Sequence, residues 1–244
     1  DDYVARGKVR ALALDNRGPA QFGTNGMLTT EILDAFNQHG FYVFEGLVDD
    51  KEIQTLRTQM QDLFDRAPVD KTAYLDAQGR PAFGKAFKRN PYSFARPLSD
   101  PWGGTELLGG RHPTKMAEPK PVDDAPEKTI FLMHGMCQTM EAGLRLYGHK
   151  DLLSIAASIN GADFVPYNDA IFVKQPGLGG AVSWHQDGVT HWQAANWDAG
   201  IHGFNFQVQL YDCTPRNCLW VVPGTHKQGK IDIKQMVSEN GGSD

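Results

Sequence analysis

The chain has 244 residues, of which 41% are hydrophobic and 22% are charged, and its net charge is −5. This length allows one domain with a sizeable core, and the mild acidic excess argues against nucleic acid as the main partner, because phosphate binding needs a basic surplus. No apolar run reaches the roughly 18 residues of a membrane-spanning helix, so we expect neither a membrane nor a nucleic acid as partner.

The sequence pattern of the N-terminal quarter predicts an irregular arm followed by helices. Residues 1–28 carry few apolar residues at any period, which indicates an arm or loop. Residues 28–65 then show apolar stripes at spacings of three and four, with a short β-rich run between two helices. The predicted helix termini are Thr30 and Gly40 for the first helix and Asp49 or Asp50 for the start of the second.

The middle of the chain changes in composition. Residues 66–128 are rich in Pro, Gly, Lys and Arg, with isolated aromatic residues and no strong period. A loop of that length within a domain is usually functional, so we expect an irregular segment that covers the site and selects the substrate. Helical patterns return in residues 129–160.

Residues 165–229 are typical of β-structure. Residues 204–211 alternate between apolar and polar side chains, which is the period of a half-buried strand. Further strands are predicted at 170–173, 184–187 and 219–222. Helices followed by a run of antiparallel-type strands predict an α+β, mainly β protein whose strands form a sandwich or jelly roll.

The sharpest local motif is the pair His185 and Asp187. Side chains at positions i and i+2 of a strand point to the same side, so one imidazole and one carboxylate can face a single point. Two histidines and one carboxylate on one face of a metal form the non-haem iron oxygenase site. Chance alone supplies about 0.7 His-x-Asp pairs in a chain of this composition, and the alternative is a strand-end pair that bonds internally or to the backbone.

Four pieces in order make the motif more specific. Residues 170–229 resemble the phytanoyl-CoA dioxygenase family of Fe(II)- and 2-oxoglutarate-dependent oxygenases, and the region around Gly40 resembles that family's N-terminal part more loosely. The matching pieces are Phe172-Val173-Lys174-Gln175-Pro176-Gly177, Trp184-His185-Gln186-Asp187-Gly188, Gln209-Leu210-Tyr211-Asp212 and Leu219-Trp220-Val221-Val222-Pro223-Gly224-Thr225-His226.

The resemblance implies a double-stranded β-helix (jelly-roll, cupin-like) core with flanking N-terminal helices, and Fe(II), 2-oxoglutarate and O2 as cofactor and co-substrates. It makes His185 and Asp187 the metal ligands and the catalytic residues. It also implies that Asn168 and Gln207 bind the co-substrate. A turn residue is the alternative for Asn168, and a residue of an exposed polar face is the alternative for Gln207.

The chain departs from that family pattern at its end. The family's third ligand, a later histidine, and the arginine that holds the distal carboxylate of 2-oxoglutarate are not visible, because His226 is the last histidine and occupies the family's turn position. We therefore expect residues 1–244 to be a single oxygenase domain without its C-terminal strands, in a polypeptide that continues.

The function implied by the resemblance is hydroxylation of an unactivated C–H bond of a small molecule, with release of succinate and CO2. Related halogenases carry a small residue where this chain has Asp187, so a carboxylate there favours hydroxylation. Two alternatives stay open: a catalytically silent binding protein of the same fold, and a cupin-type metalloenzyme that uses no 2-oxoglutarate. The chain's three cysteines give no disulfide framework, and we expect reduced thiols in the cytoplasm. The sequence indicates neither the substrate nor the oligomeric state.

Overall fold

The computed structural model of the chain describes residues 2–187, 203–215 and 217–240. The helices assigned there are α1 (Asp2–Leu12), α2 (Thr30–His39), α3 (Asp50–Asp65), α4 (Met136–Thr139), α5 (Glu141–Tyr147), α6 (Lys150–Asn160) and α7 (Ile233–Glu239). The strands are β1 (Arg17–Gly18), β2 (Val43–Phe44), β3 (Tyr92–Ala95), β4 (Thr129–His134) and β5 (Ala170–Phe172). Single turns of 3-10 helix lie at Leu107–Gly110 and Thr225–Gln228.

The chain divides into two compact units. The first comprises residues 1–54, 148–165 and 196–231, and the second comprises 55–147, 166–195 and 232–244.

The first unit is built on helices α2 and α6. Leu28, Ile32 and Ile155 are buried together, and their removal from water is the main contribution to this unit's stability. The Leu28 N–H donates to the Ser158 hydroxyl at 2.8 Å, which ties the entry of α2 to α6. Strands β1 and β2 pair in parallel beside this core.

Two predicted helix termini are confirmed and one moves by a residue. Gly40 follows α2 with φ 83°, a left-handed conformation that glycine adopts without strain. The N-cap of α2 is Thr29 rather than Thr30, because Thr30 already has helical geometry. Asp49 and Glu52 form a reciprocal capping box at the start of α3, with N–H to carboxylate distances of 2.7 and 3.2 Å.

The second unit contains a three-stranded antiparallel sheet with β4 between β3 and β5. The inner stripe of α3 is buried, as its three- and four-residue spacing predicts. Its members are Leu56, Met60 and Leu63. The Tyr92 hydroxyl on β3 donates to the Leu63 carbonyl at 2.7 Å, and burial raises the pKa of Tyr92 to about 12, so the group stays a donor.

Two sequence predictions are wrong. The predicted N-terminal arm contains α1, a helix with no buried residue, and its few apolar residues are too sparse to give a clear helical period in the sequence. The region predicted as helical from 129 opens with strand β4, whose side chains are buried on both faces of the sheet. A short apolar run of this kind has no period that separates strand from helix.

The predicted β region forms less sheet than expected. Within the described part of 165–229, only Ala170–Phe172 joins a sheet. The segments 184–187, 204–211 and 219–222 have no strand partner there, and an extended segment becomes a strand only when a second one hydrogen-bonds to it. The described residues therefore form a mixed helix and strand structure with small sheets and no closed barrel. No helix among them is long and apolar enough to span a membrane.

Candidate metal centre

A tight turn after β5 carries the chain toward His185. The Gly179 N–H donates to the Gln175 carbonyl at 2.8 Å, which closes the turn. Gly180 then lies directly against the backbone of Ser99, so close that an added Cβ would be 1.8 Å from the Ser99 carbonyl oxygen. The Leu98 N–H donates to the Leu178 carbonyl at 2.8 Å. These contacts fix residues 178–180 on the loop that begins near residue 96.

His185 presents an open nitrogen beside Asp187. Its Nδ1 lies 2.9 Å from the Ser183 carbonyl, which only accepts, so Nδ1 carries a proton and, in the neutral imidazole, the lone pair is on Nε2. That Nε2 is 3.5 Å from Asp187 Oδ1, and the two side chains are 26% and 49% exposed. Two atoms that each lie roughly 2.1 Å from one first-row metal ion are up to about 4.2 Å apart, so this pair fits a shared metal. Imidazole nitrogen and carboxylate oxygen suit Fe(II).

Arg111 is the cation that contacts the candidate carboxylate. Its Nη1 lies 3.2 Å from Asp187 Oδ1, with the Arg111 side chain 27% exposed. Its Nε is buried and has no hydrogen-bond partner among the described residues. The guanidinium therefore offsets the charge of Asp187 from the side of residues 96–118.

The next residue, His112, is fully buried beside His185. Its ring centroid lies 4.3 Å from that of His185 and 5.2 Å from that of Trp102, and its Nδ1 lies 3.3 Å from the Ser183 hydroxyl oxygen. Burial lowers the pKa of His112 to about 4, with the neighbouring His185 and Arg111 acting in the same direction. The imidazole is therefore neutral near pH 7.

Buried carboxylate bonds order the loop that carries these two residues. Asp100 is 2% exposed and accepts hydrogen bonds from the backbone N–H groups of Gly103 and Met116 at 3.0 and 3.1 Å. Glu118 accepts the Asp100 N–H at 2.9 Å and an Arg96 N–H at 3.1 Å. This irregular segment is thus held by hydrogen bonds to charged groups, which are stronger than neutral ones.

Comparison with known proteins assigns the chain to a family. A family model described as phytanoyl-CoA dioxygenase matches residues 36–242. The chain belongs to the phytanoyl-CoA dioxygenase family. A curated protein from Arabidopsis thaliana named phytanoyl-CoA dioxygenase is 26% identical over 210 residues, which cover 86% of this chain and 69% of that protein. No solved structure matches significantly. Membership implies an Fe(II)- and 2-oxoglutarate-dependent oxygenase, and the resemblance predicted from the sequence is confirmed.

The structure brings His185 and Asp187 together. Asn168 is exposed before β5, and within the described residues it forms no hydrogen bond with His185. Gln207 is exposed and lies in the first unit. His226 lies in the predicted turn, where its Nε2 donates to the Asn37 carbonyl at 2.9 Å.

A third protein ligand is not found in the part of the chain that the structure describes. Across residues 2–187, 203–215 and 217–240, no three His, Cys, Asp or Glu side chains lie together as a metal site. His191 and His202, the other histidines between Asp187 and His226, lie outside these residues.

Three residues of the site were missed by sequence reasoning. They are Arg111, His112 and Ser183, none of which belongs to a periodic element or to the matching pieces. The only signal is that Arg111 and His112 stand between a Gly-Gly pair and a proline. Glycines and a proline in this position indicate a turn. They do not predict that His112 contacts Ser183, which lies 71 residues further along the chain.

Proposed function

We propose that this member of the family is an Fe(II)- and 2-oxoglutarate-dependent dioxygenase that hydroxylates an unactivated C–H bond of a small molecule, releasing succinate and CO2. The observation that carries the proposal is the geometry of the pair: His185 Nε2, with its lone pair available, lies 3.5 Å from the Asp187 carboxylate. Together with family membership, this donor set supports iron over a structural ion pair.

In the proposed enzyme His185 and Asp187 would hold the iron, which would supply the oxidising chemistry that the protein's own side chains lack. Ser183 holds the His185 ring in the tautomer that exposes Nε2, as ligating histidines generally require. Arg111 offsets part of the Asp187 charge. Trp102 lies 5.2 Å from His112, centroid to centroid, and itself packs edge-on against Phe131 and Phe172, so these aromatic rings cover one side of the His112 imidazole.

The finer parts of the proposal rest on the resemblance. Asp187 favours hydroxylation over halogenation, because the carboxylate fills the position that a halide would need. We propose Asn168 and Gln207 as co-substrate contacts, and a double-stranded β-helix that includes the alternating segment 204–211. Slow amide hydrogen exchange in 204–211 supports that β-helix, and fast exchange throughout the segment contradicts it.

The proposed partners are a small-molecule substrate and neither a nucleic acid nor a membrane, which the net charge of −5 supports. The cytoplasmic location stays a prediction from the three cysteines, all of which are free thiols.

The decisive experiment is an anaerobic titration of the full-length protein, with this chain in parallel, with Fe(II) and then 2-oxoglutarate. We expect the visible metal-to-ligand charge-transfer band of a bound keto acid, and its loss in Asp187→Ala. Asp163→Ala is the matched control, since Asp163 is an exposed aspartate of the first unit. A band that survives in Asp187→Ala contradicts the ligand assignment.

The same titration separates the two alternatives. Absence of the band and of succinate formation, in a folded chain that still binds small molecules, supports the silent binding protein. Copurified zinc, nickel or manganese with turnover that does not depend on 2-oxoglutarate supports the cupin-type metalloenzyme.

A further inference from the structure

His112 is completely buried, and one of its ring nitrogens has no hydrogen-bond partner among the described residues. Its side chain is 0% exposed, yet its Nε2 has no hydrogen-bond partner among the described residues. Leaving a buried polar group without a hydrogen bond is unfavourable, because its interaction with water is lost and not replaced. A phenylalanine of similar shape would pack against Trp102 without that cost, so packing alone does not account for a histidine here.

The polar atoms of His112 lead to His185 through Ser183. The Ser183 hydroxyl oxygen lies 3.3 Å from His112 Nδ1, and the carbonyl of the same serine accepts the His185 Nδ1–H at 2.9 Å. Ser183 is itself 1% exposed. One buried residue therefore links both imidazoles, and the two rings also contact each other directly at a centroid distance of 4.3 Å.

The backbone of His112 is fixed as well. Its carbonyl accepts the Gly104 N–H at 2.8 Å, and Gly103 next to it is held by the buried Asp100. An added Cβ at Gly103 would lie 2.0 Å from an Asp100 carboxylate oxygen, so this turn has no room for a side chain at Gly103. Because both the ring and the backbone of His112 are held, His112 can set the orientation of the His185 ring that packs against it.

We propose that His112 is a positioning residue for His185: it fixes the plane and the tautomer of that imidazole, and so the direction in which His185 Nε2 is offered to a metal. This inference rests on the proposed metal site, and it adds a residue from the 66–128 segment, whose expected role was substrate selection. Groups of this kind, which bond or pack on a ligating histidine, typically change metal affinity by about 10–100-fold when altered.

The test uses His112→Phe, which keeps a ring of similar shape and removes both nitrogens. The metal probe is Mn(II), followed by electron paramagnetic resonance without oxygen. We expect an affinity about 10–100-fold below that of the wild-type chain. His112→Asn, whose amide can reach the Ser183 hydroxyl in place of Nδ1, is expected to recover most of the affinity.

A matched control lies on β4. His134 also pairs with a serine, at 2.9 Å from its Nε2 to the Ser93 hydroxyl oxygen, and its Nδ1 is buried without a partner among the described residues. Burial lowers the pKa of His134 as it does that of His112. His134→Phe therefore makes the same chemical change elsewhere in the unit, and we expect Mn(II) affinity to stay at the wild-type value.

A second readout needs no metal. Nitrogen-15 spectra of the histidine side chains report the tautomer of His185, which we expect to be the single Nδ1–H form in the wild-type chain and a mixture in His112→Phe. A purely structural role for His112 would lower the melting temperature and leave this tautomer unchanged. If His112→Phe does not fold, Ser183→Ala removes the hydroxyl that links the two imidazoles while keeping the carbonyl that accepts the His185 Nδ1–H, and Mn(II) affinity is expected to fall in the same direction.

The outcomes distinguish the two proposals. If the wild-type chain binds Mn(II) and His112→Phe binds it equally well with an unchanged His185 tautomer, the positioning role is refuted and the metal site stands. If the wild-type chain binds no Mn(II) but the tautomer of His185 depends on His112, the positioning role stands and the metal site fails.

Discussion

The contact between Gly180 and Ser99 gives the sharpest test of how the site is built. In Gly180→Ala the new Cβ would lie 1.8 Å from the Ser99 carbonyl oxygen and 2.9 Å from its carbonyl carbon. Both atoms belong to the backbone, so no side chain can rotate away. The two segments must separate by roughly 1.2 Å to restore a 3.0 Å contact, and the adjacent hydrogen bond from Leu98 N–H to the Leu178 carbonyl, 2.8 Å long, is then strained.

Overpacking of this kind costs about 1–3 kcal/mol. In a chain of this size each kcal/mol lowers the melting temperature by about 2–4 °C, so we expect a fall of about 2–12 °C. His185 follows Gly180 by five residues, so Mn(II) affinity is expected to fall together with stability. Thermal unfolding followed by fluorescence measures the first effect, and paramagnetic resonance measures the second.

Gly203→Ala is the control, because an added Cβ there meets no atom of the described residues within 4 Å. We expect its free energy of unfolding to stay within about 0.5 kcal/mol of the wild-type value. A melting temperature for Gly180→Ala that equals that of Gly203→Ala would refute the close approach and, with it, the idea that the 96–118 loop supports the site.

Three further predictions follow from single contacts. Arg111→Met is expected to raise Mn(II) affinity by about two- to fivefold, because Arg111 competes with the metal for the Asp187 carboxylate. The ion pair is partly exposed and contributes under about 1 kcal/mol, which limits the gain. Weaker Mn(II) binding in this variant would contradict the prediction. Burial lowers the pKa of His112 to about 4, so the unfolded chain takes up a proton from about pH 6.5 downward while the folded chain does not, and stability is lost as pH falls toward 4. Urea unfolding should show a loss of about 2 kcal/mol between pH 7 and pH 5 from this group, and the loss should be smaller in His112→Phe. Asp49→Ala breaks the capping box of α3 and should cost about 1 kcal/mol in urea unfolding, whereas Asp49→Asn, which keeps a capping oxygen, should cost less.

The sequence predicts those features that depend on local chemistry. Gly40 and Asp49 end and begin helices because a left-handed glycine and a carboxylate at an N-cap act within a few residues. The buried stripe of α3 is predicted for the same reason. His185 and Asp187 are found because two residues apart in sequence they also lie close in space.

The features that sequence reasoning missed depend on distant contacts. Strand β4 shows only a short apolar run, and its identity is set by β3 and β5 on either side. Helix α1 has no buried residue. Arg111 and His112 reach the candidate site only because Asp100 and Glu118 fold their loop against residues 178–187, and no spacing in the sequence encodes that contact.

The local motif and the distant contacts contribute differently to the candidate site. The motif at 185–187 supplies the ligand atoms, and within the described residues its backbone pairs with no strand. The orientation of those atoms instead comes from Ser183, Gly180 and the loop that carries His112. A site held in this way is sensitive to substitutions in a segment with no metal ligand of its own, because a small displacement of the loop changes the angle at which His185 Nε2 meets the metal. The irregular segment 66–128 is therefore expected to determine metal affinity as well as substrate choice.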